Sequence, residues 1–232
     1  MTRYPNVICF VIFALGVSLF SLFILLMLAS HPPAVYESFL WRKPLVGLIF
    51  SLICVLGMFA AVFPSKCSGD NHLRRRDEIF SSDTVTITLV GHHLDCSEFS
   101  SHVIDIHNRK LCAACTGLFI GASISLIGAI IYYFFGWNIG DSGLAMVYVG
   151  TLGVILGFLQ LRFRGFYRLA LNVLFVLGAF LILIGIDARA QSLLIDLFVL
   201  FLVVFWIWTR IILSKWDHWR ICTKCKLECK YK

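Results

Sequence analysis

The chain has 232 residues, of which 59% are hydrophobic and 14% charged, and its formal net charge is +7. Soluble domains run nearer a quarter charged, so a chain this apolar cannot cover its own surface in water, and the bilayer is its expected solvent. A basic excess argues for nucleic acid only where it forms a soluble patch. Here it is spread along the chain, so no nucleic-acid partner is expected.

In chain order, six apolar runs match the ~20 residues a helix needs to cross the hydrocarbon core: 8–29, 45–63, 117–135, 142–161, 169–186 and 193–213. The first is too long for the apolar region of a secretory signal. The following "SHPPAVYESF" also lacks a small-residue cleavage pattern, so the run reads as a transmembrane helix. "SHPPAVYESFLWRKP" reads as a Pro-interrupted interfacial stretch with aromatic anchors. In the next segment, "KCSGDNHLRRRDEIFSSD" is polar and irregular, while "TVTITLV" (84–90) alternates as a half-buried strand does. "HVIDI" and "KLCAA" flank "HNR" as a hairpin turning at Asn108, with Thr116 positioned to cap the third span. The turns "GWNIGD" and "DARAQ" are too short to carry a site.

The expected fold class is all-α integral membrane: six transmembrane helices with a small cytoplasmic β-hairpin metal-binding module. The parts are a first transmembrane hairpin (1–63), a metal-binding loop (64–116), a four-helix transmembrane region (117–213) and a Cys-rich tail (214–232).

An N-terminus in the cytoplasm puts Arg3, Lys66, Arg74, Arg75, Arg76, Arg109, Lys110, Arg162, Arg164 and Arg168 on that side. Arg210, Lys215, Arg220, Lys224, Lys226, Lys230 and Lys232 join them. Only Arg42, Lys43 and Arg189 of the 20 basic residues remain outside. This is the positive-inside asymmetry. It predicts a multi-pass cell-membrane protein with both termini cytoplasmic, whose basic residues touch membrane lipid.

The orientation decides how the nine cysteines are read. Cys9 and Cys54 lie inside spans and read as small packing residues. The other seven fall on the reducing side, where such a set points to metal or redox chemistry rather than disulfides. Cys112-x2-Cys115 is the usual half of a zinc knuckle, and tetrahedral zinc takes four N or S ligands. His92 or His93 together with Cys96 supplies the second half at workable spacing. A loop this small buries little core, so a metal would supply the missing folding energy. Mixed His/Cys ligation favours zinc. His102 and His107 read as surface or strand residues, and Thr116 stands where a covalent haem motif needs His.

The tail repeats the theme with Cys222-x2-Cys225-x3-Cys229, which lacks a fourth ligand. Cys67 or His218 completes it, with Cys67 the better fit because an all-cysteine set is familiar. Such a set admits zinc or an iron–sulfur cluster.

The spans carry few ionisable residues. Asp196 lies one turn into the sixth, with Asp187 and Arg189 nearby in sequence. Asn172 is near the cytoplasmic end of the fifth, and Arg210 is expected to snorkel from that of the sixth. Transporters usually place an ionisable residue near mid-membrane, and none is evident, which leaves Asp196 as the acid to test. Gly117-x3-Gly121 and Gly153-x3-Gly157 are expected to pack helices closely within the bundle. "FWIW" is expected to face lipid or a partner.

At "GHH…SHVIDIHNRKLCAACTGLFIGA" the chain resembles a family of predicted membrane proteins classed as a domain of unknown function. Its members share a Cys-His-Gln-like stretch, a segment ending in Cys-Ala-x-Cys-Thr-Gly, and then a helix with an aromatic residue and a Gly. Gly91-His92-His93 stands where that family has Cys-His-Gln, and Ala114 where it commonly has Arg. The chain is more similar still to archaeal membrane proteins that carry "GHH…C…CxxCTG". The resemblance spans about 91–160 and implies no activity; it leaves Cys96 to take the place of the family's first Cys.

No nucleophile, acid pair or phosphate loop accompanies the ligand set. The expected function is therefore non-catalytic: an accessory or assembly subunit of a larger, energy-converting membrane complex, with other membrane-protein subunits as partners. One alternative is an electron-transfer subunit carrying an iron–sulfur centre. The others are a membrane transporter or a metalloenzyme in which His92 or His93 acts as base, assisted by Asp95 or Glu98. "HHLDCSE" lacks the His-Glu-x2-His order of metalloprotease helices.

Overall fold

The computed structural model describes residues 4–33, 40–62, 103–106 and 109–222. They form α1 (Tyr4–Ser30), α2 (Arg42–Val62), strands β1 (Val103–Ile106) and β2 (Arg109–Cys112), α3 (Ala113–Tyr133), α4 (Gly143–Phe158), α5 (Gly165–Ala190) and α6 (Leu193–Cys222). Short 3-10 turns, Gly140–Ser142 and Leu159–Arg162, extend α4 at both ends. With those extensions counted, six helices are long and apolar enough to cross a membrane.

Many of these helices are rich in Val, Ile and Phe, which are weak helix formers in water. Lipid reverses the balance, because a spanning segment must satisfy every backbone N–H and C=O internally. Pro5 and Pro44 sit in the first turns of α1 and α2, where the missing N–H has no intrahelical partner anyway. At the end of α5, Gln191 turns into the left-handed region (φ 47°) and returns its N–H to the Asp187 carbonyl at 3.2 Å. The chain then enters α6 almost at once, which brings Asp187 and Asp196 to the same end of the bundle.

α5 is the packing centre. Ile182, Leu183, Ile184 and Ile186 are all buried, leaving no lipid-facing stripe over that turn. Small residues let α4 approach: a Cβ on Gly178 would lie 2.5 Å from the Gly150 carbonyl oxygen, and one on Gly150 would lie 2.6 Å from that of Gly178. Gly153 meets Leu174 and Gly157 meets Phe175. On the other side of α5, Gly117 meets Leu169 and Gly121 meets Val173 and Val176. Both expected small-residue pairs therefore pack inside the bundle. α1 joins α6 through polar bonds in an apolar setting: Trp206 Nε1 donates to Ser21 Oγ at 3.0 Å, and Ser18 and Thr209 hydroxyls lie 3.1 Å apart. Large apolar side chains such as Phe13, Phe20, Leu48, Leu152 and Phe201 face outward, as contact with lipid requires.

Several expectations are corrected. α2 begins at Arg42 rather than 45, α3 at Ala113 rather than 117, and α6 continues to Cys222 rather than stopping at 213. Helices end where backbone hydrogen bonding ends, not where the apolar run does. Thr116 is not the cap of α3: the N-cap is Cys112, and Thr116 Oγ1 donates back to its carbonyl at 2.9 Å. Trp206 of "FWIW" is buried, whereas Trp208 is exposed and meets Phe10 edge-on at 5.4 Å.

Candidate functional site

The two strands pair antiparallel, with Val103 opposite Cys112 and Ile106 opposite Arg109. Ile104 and Ala113 pack with Leu169, which docks the strand pair onto the start of α5. Cys112 is the last residue of β2 and has extended backbone (φ −71°, ψ 114°), while Cys115 lies in the first turn of α3. The x2 spacing thus crosses a strand-to-helix junction rather than sitting wholly on a hairpin end. That junction sets the two thiols at the foot of α3, where they interact electrostatically and form no disulfide.

Two buried guanidiniums lie within electrostatic range of both sulfurs, Arg168 from α5 and Arg210 from α6. Arg168 Nη1 and Nη2 each lie 3.4 Å from Asp217 Oδ2. The other oxygen of Asp217 accepts from Arg220 Nη2 at 2.9 Å. Arg210 does not snorkel. It is buried, and its Nε donates to Asn172 Oδ1 at 2.8 Å, with Nη2 on the same oxygen. Asn172 Nδ2 in turn donates to the Arg168 carbonyl at 2.6 Å. Among the described residues, Asp217 is therefore the carboxylate that meets Arg168, while Arg210 is held by an amide oxygen.

His92, His93, Cys96, Cys67, Cys225 and Cys229 lie outside the described residues, as do the 84–90 strand, His102, His107 and Asn108. His218 and Cys222 fall on the last turns of α6, just beyond Asp217. Among the described residues, no three His, Cys, Asp or Glu side chains converge as a metal site.

A second polar cluster, which sequence reasoning missed, closes the opposite end of the bundle. Arg42 Nη1 donates to Asp187 Oδ1 and to Asp196 Oδ2, each at 2.5 Å, and all three side chains are buried. The Tyr132 hydroxyl donates to Asp187 Oδ2 at 2.7 Å. Lys43 Nζ lies 5.0 Å above the Tyr132 ring, and Tyr133 packs edge-on against Tyr132 at 4.8 Å. Arg189, the expected neighbour of Asp196, instead donates Nε to the Ala29 carbonyl at 3.1 Å. The available signal was an Arg-Lys pair heading the second span at the same membrane level as two Asp residues, one near the end of the fifth and one near the start of the sixth.

These features are those of a multi-pass membrane protein, with six membrane-crossing helices and a polar cluster at each end among the described residues. No family model, curated protein or solved structure matches the chain.

Proposed function

We propose that the chain is a non-catalytic, multi-pass membrane protein whose Cys/His-rich cytoplasmic segment holds zinc, and that it serves as an accessory or assembly subunit of a larger membrane complex. The observation that carries this reading is the pair of adjacent thiols, Cys112 and Cys115, at the foot of α3 beside two buried guanidiniums. The donor set fits the metal. Zinc with three thiolates and one imidazole, or with four thiolates, is a net anion. Arg168 and Arg210, buried at this end of the bundle, supply the opposite charge. His92 or His93, Cys96, Cys112 and Cys115 would hold the first ion. Cys222, Cys225 and Cys229 with Cys67 or His218 would hold a second. Bound zinc supplies a cross-link, tying the segment before β1 to the head of α3. The positive-inside asymmetry argues for both termini in the cytoplasm of the cell membrane, where thiols stay reduced.

The test is purification of the full chain from its own membranes without oxygen, followed by elemental analysis, visible and EPR spectra, and identification of whatever copurifies. Zinc without a chromophore, together with stoichiometric membrane subunits, is the expected result. An iron–sulfur signal would replace it with the electron-transfer reading. A stable lone protein that turns over a small substrate would overturn it.

A further inference from the structure

At the Arg42 end the buried charges do not balance. One guanidinium faces two carboxylates, Asp187 and Asp196, and both carboxylates are fully buried. Among the described residues, the other charged groups near this end are engaged elsewhere or lie in the open. Lys43 of α2 sits over the Tyr132 ring, Arg189 of α5 bonds the Ala29 carbonyl, and Asp141, just before α4, is exposed. Two ionised carboxylates would leave a net negative charge on this cluster in a low-dielectric setting, which is strongly unfavourable.

The geometry gives a more specific reason. Both carboxylates converge on the same nitrogen, Arg42 Nη1, each at 2.5 Å, so one oxygen of each flanks a single donor atom. Ionised carboxylates only accept and repel one another when held on one donor, so a proton between them would relieve both the repulsion and the missing donor. Three of the four oxygens already have a donor: Arg42 on Asp187 Oδ1, Tyr132 on Asp187 Oδ2 and Arg42 on Asp196 Oδ2. The fourth, Asp196 Oδ1, is buried with no partner among the described residues. A separate observation points to the same place. The Tyr133 hydroxyl is also buried without a partner there, on a residue only 3% exposed and within electrostatic range of both acids.

We propose that Asp187 and Asp196 form a binding site for a single proton, carried on Asp196 Oδ1 and shared with Asp187, with Arg42 as the fixed counter-charge. Binding one proton makes the cluster neutral: two carboxyl groups with one charge between them meet one guanidinium. Losing it leaves an uncompensated anion between α2, α5 and α6. The site is independent of the zinc reading, because its groups lie at the opposite end of the bundle from Cys112 and Cys115.

The test is an infrared pH titration of the full chain in lipid nanodiscs. At neutral pH the wild type is expected to show a protonated-carboxyl carbonyl band that shifts in heavy water and disappears at alkaline pH. Asp196→Asn, which keeps the shape and can donate to Asp187, removes the band and retains the neutral-pH melting temperature. Because the native state holds a proton that the unfolded chain releases, the wild-type melting temperature falls as pH rises; that of Asp196→Asn falls much less. Asp187→Asn provides a second assignment, and it too removes the band. Absence of the band in the wild type, or its persistence in both variants, overturns the proposal. So does a sodium-dependent rise in melting temperature with no carboxyl band, since the balancing charge would then be a metal cation.

Discussion

The two ends of the bundle handle buried charge in opposite ways. At the Arg42 end, two carboxylates from α5 and the head of α6 close on one guanidinium nitrogen at 2.5 Å, and a tyrosine hydroxyl completes Asp187. At the Cys112 end, Arg168 meets Asp217 at 3.4 Å, and Arg210 is held by an amide oxygen rather than a carboxylate. Among the described residues, the first cluster sets two carboxylates on one guanidinium, and the second sets two buried guanidiniums near a pair of thiols. A buried surplus is costly, so each end calls for a different ligand. A proton suits the first, and an anionic metal–thiolate group suits the second. One helix, α5, contributes to both, with Arg168 near its start and Asp187 near its end.

The comparison can be broken most sharply at Arg42. Arg42→Ala leaves two buried carboxylates without their cation and is expected to cost ~3–5 kcal/mol, read as a large fall in melting temperature in detergent or nanodiscs. Arg42→Lys recovers only part, since an ammonium does not reproduce the guanidinium geometry. An Arg42→Ala protein as stable as the wild type would show that the cluster does not hold α2 to α5 and α6. Next comes the frame that both ends share. Gly178→Val puts a side chain against the Gly150 carbonyl with no room to yield, and overpacking of this kind costs ~1–3 kcal/mol. Its effect should reach both ends, lowering zinc content and weakening the carboxyl band together.

The longer ion pair should matter less. Asp217→Asn keeps an acceptor for Arg168 and is expected to cost about 1 kcal/mol, leaving the carboxyl band of the opposite end unchanged. A penalty equal to that of Arg42→Ala would erase the distinction between the two ends. The smallest effect belongs to Lys43→Gln, which removes the cation above Tyr132 for about 0.5 kcal/mol. It leaves the Arg42 contacts in place.

Much of the frame was legible in the sequence because hydropathy and small-residue spacing are local signals. The six spans, the close approach of Gly117 and Gly121 to α5, and the meeting of Cys112 with Cys115 all follow from neighbouring residues. The charge clusters were not legible in the same way. Arg42 pairs with partners 145 and 154 residues away, and counting basic residues by membrane side treats it as a loop residue. Yet α2 starts at Arg42, since the backbone continues its hydrogen bonds through a charged first turn. Arg210 misled for a related reason. Snorkelling assumes a helix end close by, but α6 runs on to Cys222, so Arg210 lies well inside it and must find Asn172 instead. Thr116 looked like a cap because the apolar run starts at Gly117, whereas the helix starts at Ala113. In each case the apolar run and the helix have different ends; Arg42 and Thr116 sit in the difference, and Arg210 is displaced from a helix end by it.

The central claim is that Cys112 and Cys115 ligate a metal at one end while the opposite end does not depend on it. The most direct measurement is the metal content of the full chain purified without oxygen, compared across wild type, Cys115→Ser and Asp196→Asn. The account predicts at least one zinc per chain in the wild type and in Asp196→Asn, with a loss in Cys115→Ser. Metal-free wild-type protein, or zinc content unchanged by Cys115→Ser, would contradict it.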